Sequence, residues 1–402
     1  MRQNNLKMRK LTPLHFEQYN QLLRYVFQVT EQTLNSIGWE ERDIVRAKYP
    51  ILEQAEIWGW FDNDNLVSQL AIYDMKINVF NQEYKMGGVT GVGTYPEYSN
   101  MGLMHKLLEN ALYIMQEKGQ YISYLYPYSI PFYRRKGWEI ISDKIYYEVQ
   151  DYQLPKSEQV KGRVQRFQPE SPEVYSAYER YSLCTHGAVI RNKAAWDEYW
   201  LWDNDDMTVA VYYNDNDEAN GYLIYWIAND VFHVKDMIVM NEEAHIGLWN
   251  FISAHFSMID KVKGYTYTGE PLAFLLDDAS IKETISPYYM ARIVDFEKFI
   301  EQYPFKKSES KREWIFNLVD PMMPCNDGTF CLEINKNGKG IAKKIHAETM
   351  DKISIQTMTA MLMSYKRPRY LHRIERLKTT MDKVTMLENS IEQRQPYISD
   401  YF

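Results

Sequence analysis

Residues Gly87 to Gly119 read GGVTGVGTYPEYSNMGLMHKLLENALYIMQEKG. The stretch begins as a Gly/Val-rich strand over Gly87 to Tyr95, and Pro96 ends it. A short polar turn, Glu97-Tyr98-Ser99-Asn100, follows. Gly102 then opens a helix whose apolar residues fall at Leu103, Met104, Leu107, Leu108, Ala111, Leu112 and Met115. That is the i, i+3, i+4 spacing of one buried helix face. A strand that turns into a helix start leaves backbone N–H groups unpaired at the positive end of the helix dipole. Pyrophosphate is the usual occupant of such an end. Gly102 has no side chain, so a phosphate can approach its main chain closely. Taken alone, a strand–glycine–helix unit serves packing more often than phosphate binding. The next segment decides between them.

A second strand is expected over Tyr121 to Tyr126, followed by Pro127-Tyr128-Ser129-Ile130-Pro131 and Phe132-Tyr133-Arg134-Arg135-Lys136-Gly137-Trp138. The succession of splayed strand, phosphate loop and helix, strand, and FYxxxGW segment resembles the GNAT family of N-acetyltransferases. The resemblance implies a catalytic GNAT domain with acetyl-CoA as co-substrate. The loop departs from the family pattern Q/R-x-x-G-x-G/A. It reads Ser99-Asn100-Met101-Gly102-Leu103-Met104, without the loop cation or the second small residue. Main-chain donors and the helix dipole remain to hold phosphate, with His105 and Lys106 as nearby charge.

The chain has 402 residues, too many for one such domain and enough for two or three. Its composition is that of a globular protein, 45% hydrophobic, and no apolar run reaches the roughly 18 residues of a membrane span. The N-terminal MRQNNLKMRKLTPLHF carries basic residues but no apolar core, so no signal peptide is expected. Cys184, Cys325 and Cys331 form no CxxC pair, and a reducing cytoplasm suits them. Histidines are scattered, so no metal is expected. The net charge of −8 argues against nucleic acid and mildly favours a cationic amine.

The first half has an echo. Glu97-Tyr98-Ser99-Asn100-Met101-Gly102-Leu103 is matched by Glu242-Glu243-Ala244-His245-Ile246-Gly247-Leu248, ahead of a helix expected over Trp249 to Ile259. Strands are expected before it at Thr208–Tyr213, Gly221–Ala228 and Val231–Val239, with Asn214-Asp215-Asn216-Asp217 and Asn229-Asp230 as turns. This predicts a second, degenerate GNAT-like unit. From Tyr288 onward the pattern changes: strands are expected at Tyr288–Phe296, Trp314–Val319 and Thr329–Ile334. Asn326-Asp327-Gly328 and Asn335-Lys336-Asn337-Gly338 supply turns. An amphipathic helix over Ile355 to Tyr365 follows, with Met358, Met361 and Leu362 on one face. This resembles a sterol-carrier-protein domain. The methionines suit either core packing, the commoner case, or a lipid pocket.

The expected fold class is α+β: a catalytic GNAT domain over residues 1–150, a degenerate GNAT-like domain over 151–287 and a sterol-carrier-like α+β domain over 288–402. That layout resembles the Eis-type (enhanced intracellular survival) acetyltransferases across essentially the whole chain. The ending Ser399-Asp400-Tyr401-Phe402 adds to the likeness, because Eis-type chains end in a phenylalanine whose α-carboxylate reaches the first domain's site.

The resemblance implies roles for particular residues. Val92, Gly93 and Thr94 would hold the pantetheine arm and acetyl carbonyl. Asn100, Met101, Gly102, Leu103, Met104 and His105 would cover the pyrophosphate. Tyr128 and Ser129 would line the cofactor. Tyr133 would be the general acid, and Phe402 would offer its carboxylate as base or ammonium anchor. The chemistry needs these types: an amine must shed a proton, an oxyanion needs N–H donors, and a departing thiolate needs an acid. The resemblance further implies a polyamine or aminoglycoside acceptor and a homohexamer. Two other readings suit the same sequence. One is an acyl or aminoacyl transferase acting on cell-wall or peptide amines. The other is a non-catalytic acyl-CoA or lipid-binding protein.

Overall fold

A computed structural model describes residues 5–36, 41–200 and 206–402, and its strands form three sheets. The first four residues of the N-terminal stretch considered above lie outside the described residues. The chain begins with β1 (Leu6–Lys10), α1 (Phe16–Phe27), α2 (Glu31–Ser36) and α3 (Glu41–Leu52). The antiparallel strands β2 (Glu56–Asp62), β3 (Asn65–Val79) and β4 (Gln82–Thr94) come next. Then come α4 (Leu103–Glu117), β5 (Ile122–Leu125), α5 (Ile130–Arg134) and β6 (Glu139–Ile140). Most of β3 is buried on both faces, so its sequence shows an apolar run rather than alternation.

Next come β7 (Asp143–Gln150), β8 (Arg163–Phe167), α6 (Pro172–Cys184), β9 (Val189–Ile190) and α7 (Lys193–Trp200). They lead to β10 (Thr208–Tyr213), β11 (Ala219–Ala228), β12 (Val231–Val239), α8 (Glu242–Ser253), β13 (Lys261–Thr266), β14 (Lys282–Pro287) and β15 (Met290–Ile293). The first sheet runs β1-β2-β3-β4-β5-β15-β6, with β9 pairing the far end of β3. The second runs β8-β10-β11-β12-β13-β7-β14. The two orders correspond place by place. Each has one parallel pair, β4/β5 or β12/β13, joined by a helix, α4 or α8.

The strand beside each parallel pair is exchanged between the units. β7 leaves the first unit to pair with β13, and β15 returns from the second to pair with β5 and β6. The expectation that Tyr288 to Phe296 opens the C-terminal sheet is therefore corrected. That strand is short, wholly buried and the sixth place of the first sheet, between β5 and β6. Its apolar run identified it as a strand, but a run alone does not name the partner.

A second correction concerns the echo. The helix expected from Trp249 starts seven residues earlier, at Glu242, and ends at Ser253. Asn241 caps it, its side chain accepting from the Ala244 N–H at 2.9 Å. Gly247 is thus interior to α8, unlike Gly102, which caps α4. Gly247 is glycine for a packing reason: a Cβ there would meet the Tyr212 ring at 2.3 Å.

The remaining chain forms α9 (Phe296–Gln302), β16 (Arg312–Val319), β17 (Gly328–Ile334), β18 (Gly340–Lys344), β19 (Lys352–Ser354), α10 (Ile355–Leu362), α11 (Pro368–Arg373) and α12 (Met381–Ser390). Its sheet runs β18-β17-β16-β19. Met358, Met361 and Leu362 of α10 are each almost fully buried within the large core that reaches from the first sheet into this one. They fill the core.

Candidate active site

β4 and β5 pair in parallel over only three positions, Met86–Gly88 with Ile122–Tyr124. Beyond Gly88, β4 continues to pair with β3 alone, so the strands part and leave a slot. A register shift against β3 falls between Gln69 and Ala71, opposite Gly91, whose φ of +61° favours glycine. The bulge redirects the main chain of Val92, Gly93 and Thr94 at the mouth of the slot. Thr94 is fixed by a 2.7 Å hydrogen bond between its hydroxyl and that of Ser68, and the Gly93 carbonyl accepts from Ser68 at 3.2 Å.

The adjacent glycines make room on both faces of the sheet. A Cβ at Gly87 would meet the Met115 sulfur of α4 at 2.7 Å, and one at Gly88 would meet the Phe402 ring at 2.8 Å. One glycine admits the helix, and the other admits the end of the chain.

α4 opens as the sequence anticipates. Asn100 and Gly102 both adopt left-handed conformations, φ +62° and +75°, and bend the chain into the helix. A Cβ on Gly102 would have nothing within 4 Å. No side chain caps α4, and no acidic residue stands in its first turn, so the leading N–H groups of Leu103, Met104 and His105 are available to an anion. A lysine distant in sequence lies beside the helix start. Lys136 of the FYRRKGW segment lies 2.6 Å from the His105 Nδ1. Burial and the neighbouring Arg135 lower the Lys136 pKa. Lys106 sits 5.7 Å from the Trp60 ring centre, and the Trp60 indole donates to the Leu103 carbonyl at 3.1 Å.

Tyr133 lies in α5, its N–H bonded to the Ser129 carbonyl at 3.2 Å and its ring against Phe132 and Trp138. It is buried among Leu70, Val89, Leu107 and Leu125, on the α4 face of the sheet. Burial pushes its phenol well above the usual range, so it is protonated at neutral pH. Ser129 stands at the N-cap of α5, and Tyr128 is 86% exposed.

Phe402 reaches the opposite face. Its ring lies 5.4 Å from Tyr289 and 6.2 Å from Tyr73, and its N–H donates to the Tyr289 hydroxyl at 3.2 Å. Alternation along β5 makes the division clear: Tyr124 belongs to the cluster packed by Phe402, and Leu125 to that of Tyr133. Tyr133 and Phe402 thus lie on opposite faces of the first sheet.

The tail that delivers Phe402 is held by groups the sequence reading missed. Arg191, whose side chain is fully buried, pairs with Asp400 at 2.7 Å. The Arg191 guanidinium is 3.7 Å from the ring centres of both Tyr178 and Tyr199. Tyr288 donates to the Asp400 carbonyl at 2.6 Å. Asp236 of β12 accepts from Tyr397, Ser399 and Tyr199 at 2.9, 3.0 and 3.1 Å. Its pKa is raised by burial, against the pull of Arg191 and these hydroxyls. Beside Phe402, Tyr73 donates to the buried Glu198 at 2.5 Å, and Lys48 pairs with the same carboxylate. Asp400 was the available signal, since an acid in an apolar terminal segment needs a buried cation, but nothing in the sequence named Arg191.

Among the described residues, side chains able to ligate a metal converge at Glu313, Cys331 and Glu333 on the third sheet. Lys311 already pairs with Glu333 there at 2.9 Å. No described helix is long and apolar enough to cross a membrane.

Residues 7–141 and 187–293 each match an acetyltransferase (GNAT) domain, and residues 296–399 match a sterol carrier protein domain. No curated protein matches the chain. Among solved structures, a probable N-acyltransferase from Enterococcus faecalis V583 is 24% identical, with 99% of each chain covered and a TM-score of 0.89. A GCN5-related N-acetyltransferase from Anabaena variabilis is 22% identical, covering 99% of this chain and 100% of that one, with a TM-score of 0.85. Eis1 from Mycobacterium abscessus is 16% identical over the same shares, with a TM-score of 0.79. At such identities the likeness is one of fold, and it extends over the whole chain. The chain is a GNAT-type acetyltransferase, with two GNAT domains in tandem and a sterol carrier protein domain after them.

Proposed function

We propose that the first unit transfers an acetyl group from acetyl-CoA to a primary amine of polyamine or aminoglycoside type. The observation that carries this reading is the meeting at Gly88: the end of the chain enters where β4 and β5 part, opposite the side that holds Tyr133. Asn100, Met101, Gly102, Leu103, Met104 and His105 present main chain to the pyrophosphate, with Lys106 and Lys136 as nearby cations. Tyr128 and Ser129 line the neighbouring wall.

The amine nitrogen bonds to the acetyl carbon while the carbon–sulfur bond breaks. The nitrogen's proton leaves on the Phe402 side, and Tyr133 returns one to the sulfur. An α-carboxylate of ordinary pKa, about 3.5, is a weak base. The Phe402 carboxylate therefore anchors the ammonium and leads its proton toward water. N–H groups of the bulged segment Val92–Thr94 donate to the developing oxyanion. Tyr133, kept protonated by burial, donates a hydrogen bond to the developing thiolate and passes it a proton as water, which has taken the amine's proton, restores the phenol's own.

A thiol-release assay against a panel of amines tests the reading. Turnover with acetyl-CoA and a polyamine or aminoglycoside is the expected result. Turnover confined to longer acyl-CoAs or aminoacyl donors would favour the rival transferase. Binding of acetyl-CoA without turnover on any amine would favour a carrier. The homohexamer and the cytoplasmic setting belong to the same proposal, and sedimentation of the full chain tests the former.

A further inference from the structure

The second unit keeps its own slot. β12 and β13 pair in parallel from Val231/Lys261 to Val234/Gly264, and past that point a cavity of about 560 Å³ opens beside α8. That size suits a small-molecule site. Its chemistry differs from that of the first slot. α8 has its N-terminus capped by Asn241 and carries Glu242 and Glu243 in its first turn, an arrangement that repels phosphate. The Glu243 carboxylate also accepts from the Lys161 N–H at 2.9 Å, tying the chain across that helix start.

The walls favour positive charge. Tyr147, Trp249, Tyr265 and Tyr267 supply aromatic faces. Asp236, Glu242 and Glu270 supply carboxylates, and no lysine or arginine is among the lining residues. His245 accepts from the Trp249 indole through Nε2 at 3.0 Å, and its Nδ1 lies 3.5 Å from the Glu242 carboxylate. The capacity of these rings for a cation is already in use just outside. Lys144 places its ammonium 3.8 Å from the ring centre of Tyr265 and 6.0 Å from that of Tyr267, with its pKa lowered by burial.

We propose that this cavity is a binding site for a small organic cation, an alkylamine or polyamine, held by aromatic faces and the rim carboxylates of Glu242 and Glu270. Ring faces attract ammonium groups, the more so when water is excluded, and the flanking carboxylates complete the charge balance. The cavity has room for a chain of several carbons between charged ends. The cavity shares Asp236 and Tyr397 with the anchorage of the tail, and cation binding at its rim needs no acetyl transfer by the first unit.

Calorimetric titration of the full chain with spermidine, without acetyl-CoA, tests the proposal. Glu242 and Glu270 are exposed at the cavity rim, so Glu242→Gln/Glu270→Gln leaves the core intact. The double variant is expected to weaken one spermidine site at least tenfold while thiol release from acetyl-CoA stays unchanged. Thr268→Trp, which fills the mouth, is expected to abolish the same site. A spermidine isotherm unaltered in both variants would overturn the proposal. Loss of acetyl transfer in the parent chain with the rim-dependent site intact would count against the proposed function alone.

Discussion

At the residue scale, the proposed reaction gives Tyr133 and Phe402 separate tasks on opposite faces of the first sheet. Tyr133→Phe removes the proton donor and leaves the packing against Trp138. It is expected to lower kcat by about 10²- to 10⁴-fold with little change in the Michaelis constant for acetyl-CoA, as steady-state kinetics would read. Because burial raises the phenol's pKa, its ionisation is not expected to limit turnover anywhere in the neutral range. His186 sets a different pH limit. Its Nε2 lies 2.9 Å from the Met363 carbonyl, its ring stacks on Phe80 at 3.7 Å, and its own carbonyl accepts from the Tyr397 N–H at 2.8 Å. Burial lowers its pKa from 6.5 to about 3. The folded state therefore refuses a proton that the unfolded chain accepts. Stability is complete above the unfolded value and declines as pH falls toward 3, by about 1.4 kcal/mol per pH unit. Thermal melting of the parent and of His186→Phe between pH 7 and 4 should show a shallower slope in the variant. An equal slope would remove His186 from the account. Tyr133 was legible because FYRRKGW fixes its place. His186 was not, since a lone histidine carries no periodic or spacing signal.

At the element scale, α4 and α8 occupy corresponding places and start differently. Gly102 at φ +75° with open space beyond it leaves the α4 N–H groups bare, whereas Asn241 and two glutamates close α8. Gly102→Ala is expected to cost about 1 kcal/mol of stability from its left-handed backbone and to raise the Michaelis constant for acetyl-CoA. Gly88→Ala reads the other face. The new methyl would press on the Phe402 ring, so kcat should fall while the melting temperature holds nearly steady. An unchanged kcat would separate the chain end from the chemistry. The strand–turn–helix from Gly87 to Glu117 was legible because Pro96, Gly102 and the apolar spacing agree on one outcome. The seven-residue echo misplaced α8 because Gly247 serves a helix–sheet contact with Tyr212, and a glycine's letter does not tell a cap from a close approach. The exchange of β7 and β15 was invisible for a similar reason: strand propensity identifies a strand without naming the neighbour that pairs with it.

At the scale of the whole molecule, the proposed active site draws on all three units. The first supplies the slot, β15 returns from the second to complete the sheet, and the tail arrives after the third. The second unit holds that tail through Arg191 and Asp236. Arg191→Met leaves Asp400 buried without its cation and is expected to cost about 3–5 kcal/mol. Arg191→Met/Asp400→Leu should recover part of that loss, and the single variant's tail should become open to carboxypeptidase; an additive double variant would deny the coupling. The most direct measurement of the central claim is thiol release from acetyl-CoA with an amine acceptor, by the parent chain and by a chain extended a few residues past Phe402. Turnover is expected in the parent, and its loss, by two orders of magnitude or more, in the extended chain that still binds acetyl-CoA. Equal turnover in both would contradict the claim.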